Sequence, residues 1–247
     1  MIYLKNFNNE NDYLTYRDNK SKYLKPNVSF AYGNKEVYYN YPAIDTNGFE
    51  FVNLKLPSGT LWATCNVGAD KPSDTGLYFQ WGDTSGYTAS QVGTNEGQKE
   101  FNWGDYKWSI DGSNTNFSKY TTKGAKLDLE DDAAHVYLGG DWHIPSVEQI
   151  RELISSANTT SAWTASNGIT GMTLTSTRDT TTSIYFPAVG SPWNGYVQDV
   201  GRNARVWAAN LDNGNISSSY RLGLDSSGIS LFGFDRCCGR SVRGVIG

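Results

Sequence analysis

Few side chains in this chain have the type and spacing for chemistry. The two histidines, His135 and His143, lie close in sequence to Asp131, Asp132 and Asp141. Imidazole and carboxylate together make a donor set for a zinc-type ion, so this stretch is the first candidate for a metal. The three cysteines are Cys65, Cys237 and Cys238. Neighbouring cysteines are strained as a disulfide partner pair, and no Cys-x-x-Cys spacing marks a redox or zinc motif. All three are expected to be free thiols. No glycine-rich phosphate loop follows a strand. An enzyme needs a convergent set of nucleophile, base and stabilising donor, and no such set is visible. The expectation is a protein that is not an enzyme, with no catalytic residue, cofactor or metal.

Composition narrows the partners. The formal net charge is −4, which gives no electrostatic footprint for DNA or RNA. No run approaches the roughly 18 apolar residues of a membrane span. The first residues, Met1 to Asn8, turn polar at once and lack the apolar core and cleavage site of a signal peptide. Aromatic residues reach 14% and charged residues only 19%, a mixture that favours strands, turns and long ordered loops over disorder.

The elements follow from pattern. Val28, Phe30 and Tyr32 alternate before Gly33-Asn34, and Val37, Tyr39 and Tyr41 alternate after it. That predicts a β-hairpin and makes residues 1–44 a separable appendage. Strands are expected at 49–56, 61–65, 172–174, 183–186, 205–209, 220–224 and 241–245. A short helix is expected at 131–138. A second begins at Ser146, where Gln149 completes a capping box and Val147, Ile150, Leu153 and Ile154 share one face. Residues 83–120 form a long loop carrying Tyr87, Phe101, Trp103, Tyr106 and Trp108, which is either functional or pinned by its own aromatics. Periodicity alone supports an α+β, strand-rich chain.

Four ordered stretches add a family resemblance. They are residues 56–69 (LPSGTLWATCNVGA), 139–146 (GGDWHIPS), 186–190 (FPAVG) and 236–243 (RCCGRSVR), together with Val206-Trp207-Ala208-Ala209. They resemble the major paralogous domain of Fibrobacter- and Bacteroides-type surface proteins. The variable proteins of diversity-generating retroelements, many of them in bacteriophages, use the same domain. The resemblance covers residues 45–247. It implies a C-type lectin-like fold, strand-rich with one or two short helices and long ordered loops, related to formylglycine-generating enzymes. The cysteines here do not match the placement those enzymes use for oxidation. Nor do the calcium-binding triplets of sugar-binding lectins occur, so calcium is not expected. His143 occupies a place in the Gly-Gly-x-Trp-x-x-Pro segment where arginine is common, which favours a structural role. The family's Tyr-Trp-Ser-Ser run is Val-Trp-Ala-Ala here.

The C-terminal stretch, residues 199–247, contains no Lys, Glu, Gln or Met, against about five expected from the chain's own frequencies. A buried β-segment would lack them too. The resemblance implies a second cause: retroelement mutagenesis of adenines in asparagine codons cannot reach those residue types. The expected variable region is therefore about 199–247. In Tyr220–Asp225, strand alternation puts Tyr220, Leu222 and Leu224 in the core and Arg221, Gly223 and Asp225 outward. The candidate ligand-contact residues are Arg205, Asn210, Asp212, Asn213, Arg221, Gly223, Asp225, Leu231, Phe232, Phe234, Asp235, Cys237 and Cys238. Phe232 and Phe234 are expected on an exposed loop. The resemblance implies a receptor-binding or surface-display protein at a virion or cell surface, meeting a protein or glycan ligand on a host or neighbouring cell. An invariant adhesive module of the same family is the alternative, and an enzyme of the formylglycine-generating type a remote one.

Overall fold

A computed structural model describes residues 47–247, Asp45, and the backbone of three short strands before them. The chain divides into two compact units, Met1–Val52 and Asn53–Gly247. In the first, β1 (Ser29–Tyr32) pairs antiparallel with β2 (Lys35–Tyr38), Tyr32 opposite Lys35. The side chains expected to alternate around Gly33-Asn34 lie outside the described residues. β3 (Ala43–Ile44) pairs with β4 (Glu50–Val52), which carries the division past residue 44 to Val52. The strand expected over 49–56 stops at Val52, because Asn53 turns the chain and Lys55 takes a left-handed φ of 59°.

The second unit is strand-rich with two short helices. In order it holds β5 (Leu61–Ala63), β6 (Tyr78–Phe79), α1 (Ala133–Leu138), α2 (Val147–Ile154), β7 (Thr159–Ser166), β8 (Ile169–Ser176) and β9 (Ser183–Pro187). There follow β10 (Ser191–Trp193), β11 (Tyr196–Gln198), β12 (Asn203–Leu211), β13 (Ser218–Asp225), β14 (Gly228–Asp235), β15 (Arg240–Ser241) and β16 (Val245–Ile246). The helix signals act as the residue types dictate. Asp132 accepts the His135 N–H at the start of α1, and Ser146 and Gln149 close the capping box of α2. Val147, Ile150 and Leu153 form the buried face of α2.

Two sheets organise this unit. β7, β8 and β9 form a three-stranded antiparallel meander. The larger sheet has the order β14-β13-β12-β15-β6, and the long hairpins β12–β13–β14 make its outer half. The strand expected over 241–245 is split into β15 and β16. Between them the Arg243 side chain turns inward and bonds to Asn66, Ala63 and Thr64. Trp62, Trp81, Trp142 and Trp207 are fully buried. The Trp81 indole donates to Ala208 O (2.9 Å) and the Trp207 indole to Phe79 O (2.8 Å), which satisfies their polar edges inside the core.

The long loop is held by its own aromatics. Tyr106 Oη donates to Trp81 O and the Trp108 indole to Gly82 O. Trp103, Tyr106 and Phe117 pack edge-on or tilted. The buried Arg236 guanidinium lies 3.6 Å from the Phe117 ring centre.

Candidate ligand-contact surface

The thirteen candidate residues do not share one surface. β13 is covered on both faces: Leu222 and Leu224 on one, Arg221 and Gly223 on the other. The expectation that Arg221 and Gly223 face solvent is therefore corrected. β13 is an interior strand of the sheet, flanked by β12 and β14, so alternation selects a face but not exposure. The step to solvent comes one strand farther out, on β14.

β14 also corrects the expected loop, since Gly228–Asp235 is a strand paired with β13 at every position. It is the edge strand of the larger sheet. Phe232 is 46% exposed and Phe234 40% exposed. They stand on the same face as Arg221, because directly opposed residues share a face and Arg221 opposes Phe232. Leu231 and Asp235 are half-buried and point to the other face. Burial pushes the Asp235 carboxyl above the usual range, partly opposed by Arg240.

Several candidates hold structure instead of presenting a contact. Asn210 Oδ1 accepts the Val147 N–H (3.0 Å) and so fixes the start of α2 to β12. Asp225 Oδ1 accepts from Ser227 N–H and Oγ–H in the β13–β14 turn. Asp212 Oδ1 accepts from Gly214 N–H. Asn213 is exposed on that same turn. Cys237 and Cys238 are corrected as well: both are fully buried and outside any disulfide, packed with Tyr106 and Phe117 under the long loop. The neighbouring thiol of Cys238 and burial together push the Cys237 thiol up, the condition of an inert core thiol.

What the structure does bring together is an alternating stack of aromatic rings and guanidinium groups. Arg221 Cζ is 4.2 Å from the Phe232 ring centre and 5.6 Å from that of Phe234. Arg240 Cζ is 4.8 Å from Phe234 and 5.5 Å from Trp207. Arg205, on β12, lies across from Gly223. Its Nη1 donates to Ser191 Oγ and its Nη2 pairs with Asp199 at 2.7 Å. Burial, with repulsion from Arg240 and Arg205, pushes Arg221 down to about 9; burial, partly opposed by Cys238, pushes Arg240 down to about 10. Arg240 was missed from sequence because it sits in the 236–243 motif, which reads as scaffold.

The metal candidates do not converge. His135 Nδ1 sits 3.2 Å from Trp142 O and His143 Nδ1 2.9 Å from Asp141 O. Among the described residues one acidic trio, Asp128, Glu130 and Asp131, has metal-like spacing. Lys119 Nζ occupies its centre, at 2.8, 3.0 and 2.5 Å from the three carboxylates. Among those residues, no helix is long and apolar enough to cross a membrane. Compared with known proteins, the chain matches no family model, no curated protein and no solved structure.

Proposed function

We propose that the protein is a non-enzymatic ligand-binding protein with a C-type lectin-like fold, whose C-terminal region is a retroelement-diversified contact surface for receptor binding or surface display. It belongs to a virus or phage, and it acts at the virion or cell surface. The observation that carries the reading is β14. An eight-residue edge strand with two exposed phenylalanines carries no Lys, Glu or Pro. Edge strands are normally guarded by such residues against unwanted pairing. Exposed aromatic side chains are the type that dominates interface energetics.

The tail's composition supports the same reading once burial is separated from it. Over 204–209 and 217–224 the side chains are mostly buried, so packing accounts for the missing Lys, Glu, Gln and Met. Over 212–216 and 225–235 the chain is half-buried or exposed, and packing gives no reason for their absence. Phe232, Phe234, Leu231, Asp235 and Asn213 are the contact positions, and Trp207, Leu222, Leu224 and Gly239 are the scaffold.

Sequencing the gene's 3′ end across many individuals of the source population tests this. Substitutions confined to the contact positions, with the scaffold positions constant, are the expected result. A uniform sequence, or substitutions scattered without regard to exposure, overturns diversification and leaves an invariant module.

A further inference from the structure

The guanidinium groups behind β14 have less negative charge around them than their burial requires. Arg205 has Asp199. Arg221 is only 6% exposed, yet among the described residues no carboxylate, hydroxyl or carbonyl accepts a hydrogen bond from it. Its Nε is buried without a partner, as is that of Arg240. Arg240 Nη1 donates to the Gly239 carbonyl, at 2.6 Å, and its guanidinium also bonds the Cys238 thiol, so Arg221 is the guanidinium of this face left without an acceptor among the described residues. Neither nearby acid hydrogen-bonds Arg221: Asp225 holds the Ser227 turn and acts on Arg221 only through space, and Asp235 points to the opposite face and acts through space on Arg240. Buried charge is costly without a partner, and a guanidinium offers a planar fork of donors that fits a carboxylate.

Backbone placement shows where that carboxylate would come from. A Cβ on Gly223 would lie 1.8 Å from Arg221 Nη1 and 2.6 Å from Ser230 Oγ. The Arg221 guanidinium therefore lies over Gly223, in the row Arg205–Gly223–Ser230 across β12, β13 and β14. On the edge strand, that row ends in the small Ser230, with Phe232 as the wall beside it. Beyond Ser230 is the unpaired edge of β14, whose outer N–H and C=O groups are those that an added strand would use.

We propose that β14 accepts an extended acidic segment of a protein partner as an added strand, whose glutamate or aspartate side chain crosses Ser230 to pair with Arg221. The occupant is a peptide and not an acidic sugar, because the exposed side chains of the face are phenylalanines and the free polar groups along it are main-chain ones. The inference rests on β14 being the contact surface and adds the chemistry of what it contacts.

The test uses the full chain and a fluorescent octapeptide of alternating Glu and Val, its Gln-Val counterpart, and sialyllactose as an acidic sugar. Binding of Glu-Val, at least about tenfold weaker for Gln-Val and for Arg221→Gln, is expected. Arg205→Gln, at a half-buried position already paired with Asp199, should weaken it less than Arg221→Gln does, and thermal melting verifies that both variants are folded. Equal binding of the two peptides overturns the role of the arginines. Sialyllactose binding without peptide binding overturns the occupant. No binding of any probe by the folded protein overturns the inference, whereas the pattern of population variation separately decides whether the surface is diversified.

Discussion

β13 and β14 are neighbours of equal length, paired at all eight positions, and they live in different environments. β13 is buried on both faces, while β14 has no side chain fully buried. Their compositions do not differ in kind, since each mixes Ser, Gly, Asp and apolar residues. Position in the sheet makes the difference: β13 has a strand on either side and β14 on only one. Substitution is therefore costly on one strand and cheap on the next. Charge follows the same division. In the scaffold, Lys119 is matched by three carboxylates and Arg243 by oxygen acceptors, whereas Arg221 beneath the edge strand is left to two aromatic rings.

The strongest attack on this contrast is at Trp207, the β12 residue opposite Arg221. Trp207→Ala should destabilise by about 3–5 kcal/mol, through lost burial and a cavity, read as a lower urea midpoint. It also orphans Phe79 O, which accepts the indole N–H. A loss below about 1 kcal/mol would mean that this part of the sheet, although buried, is not part of the stabilising core. Gly223→Ala comes next. The new methyl must displace the Arg221 guanidinium, a buried group, and overpacking of this kind costs about 1–3 kcal/mol. The double variant Gly223→Ala/Arg221→Ala should recover part of that loss, because the methyl then has room; unchanged destabilisation would place the clash elsewhere.

Which of these features sequence could show depends on how local their cause is. The capping box at Ser146 is set by residues a few positions apart, and the helix it predicts begins at Val147. Leu222 and Leu224 read as core from alternation and are fully buried, while Tyr220 on the same face is half-buried. Alternation could not show that β13 is interior, because burial of its second face comes from strands about ten residues away. It could not show that Asn210 serves a helix that starts at Val147, or that Arg240 reaches Phe234. The Phe-Gly-Phe-Asp run reads as a loop by composition. It is a strand because all eight of its residues find partners in β13, a long-range cause that outweighs local propensity.

The charged scaffold offers a test confined to acid pH. The buried Asp131 feels burial, which raises its carboxyl pKa. Hydrogen bonds from Lys119, Tyr120 and Lys107 outweigh that effect and leave it below the usual carboxylate value. A carboxyl depressed in the folded state binds protons less readily there than in the unfolded chain. Its stabilisation is present above the unfolded value, about 3.9, and is lost as pH falls through the folded value. Asp131→Asn should therefore shallow the decline of stability below about pH 4 while lowering stability at neutral pH. A decline as steep as that of the parent would assign acid sensitivity to other carboxylates. Arg221→Gln should change the acid limb less than Asp131→Asn, since the carboxyl it acts on, Asp225, is depressed first by hydrogen bonds from Ser227.

The smallest expected effect is the most informative about function. Phe232→Ser removes an exposed ring that contacts Arg221, so it should cost less than about 1 kcal/mol, the value of a cation–π contact at an exposed site. If folding alone had selected Phe232, its loss should damage stability on the scale seen at Trp207. If contact selected it, stability should hardly move while binding to the Glu-Val octapeptide changes, because the wall beside Ser230 is gone. The two measurements on one variant separate the causes. A large loss of stability would make β14 part of the core despite its exposure. Near-parent stability with unchanged binding would leave Phe232 with no part in either.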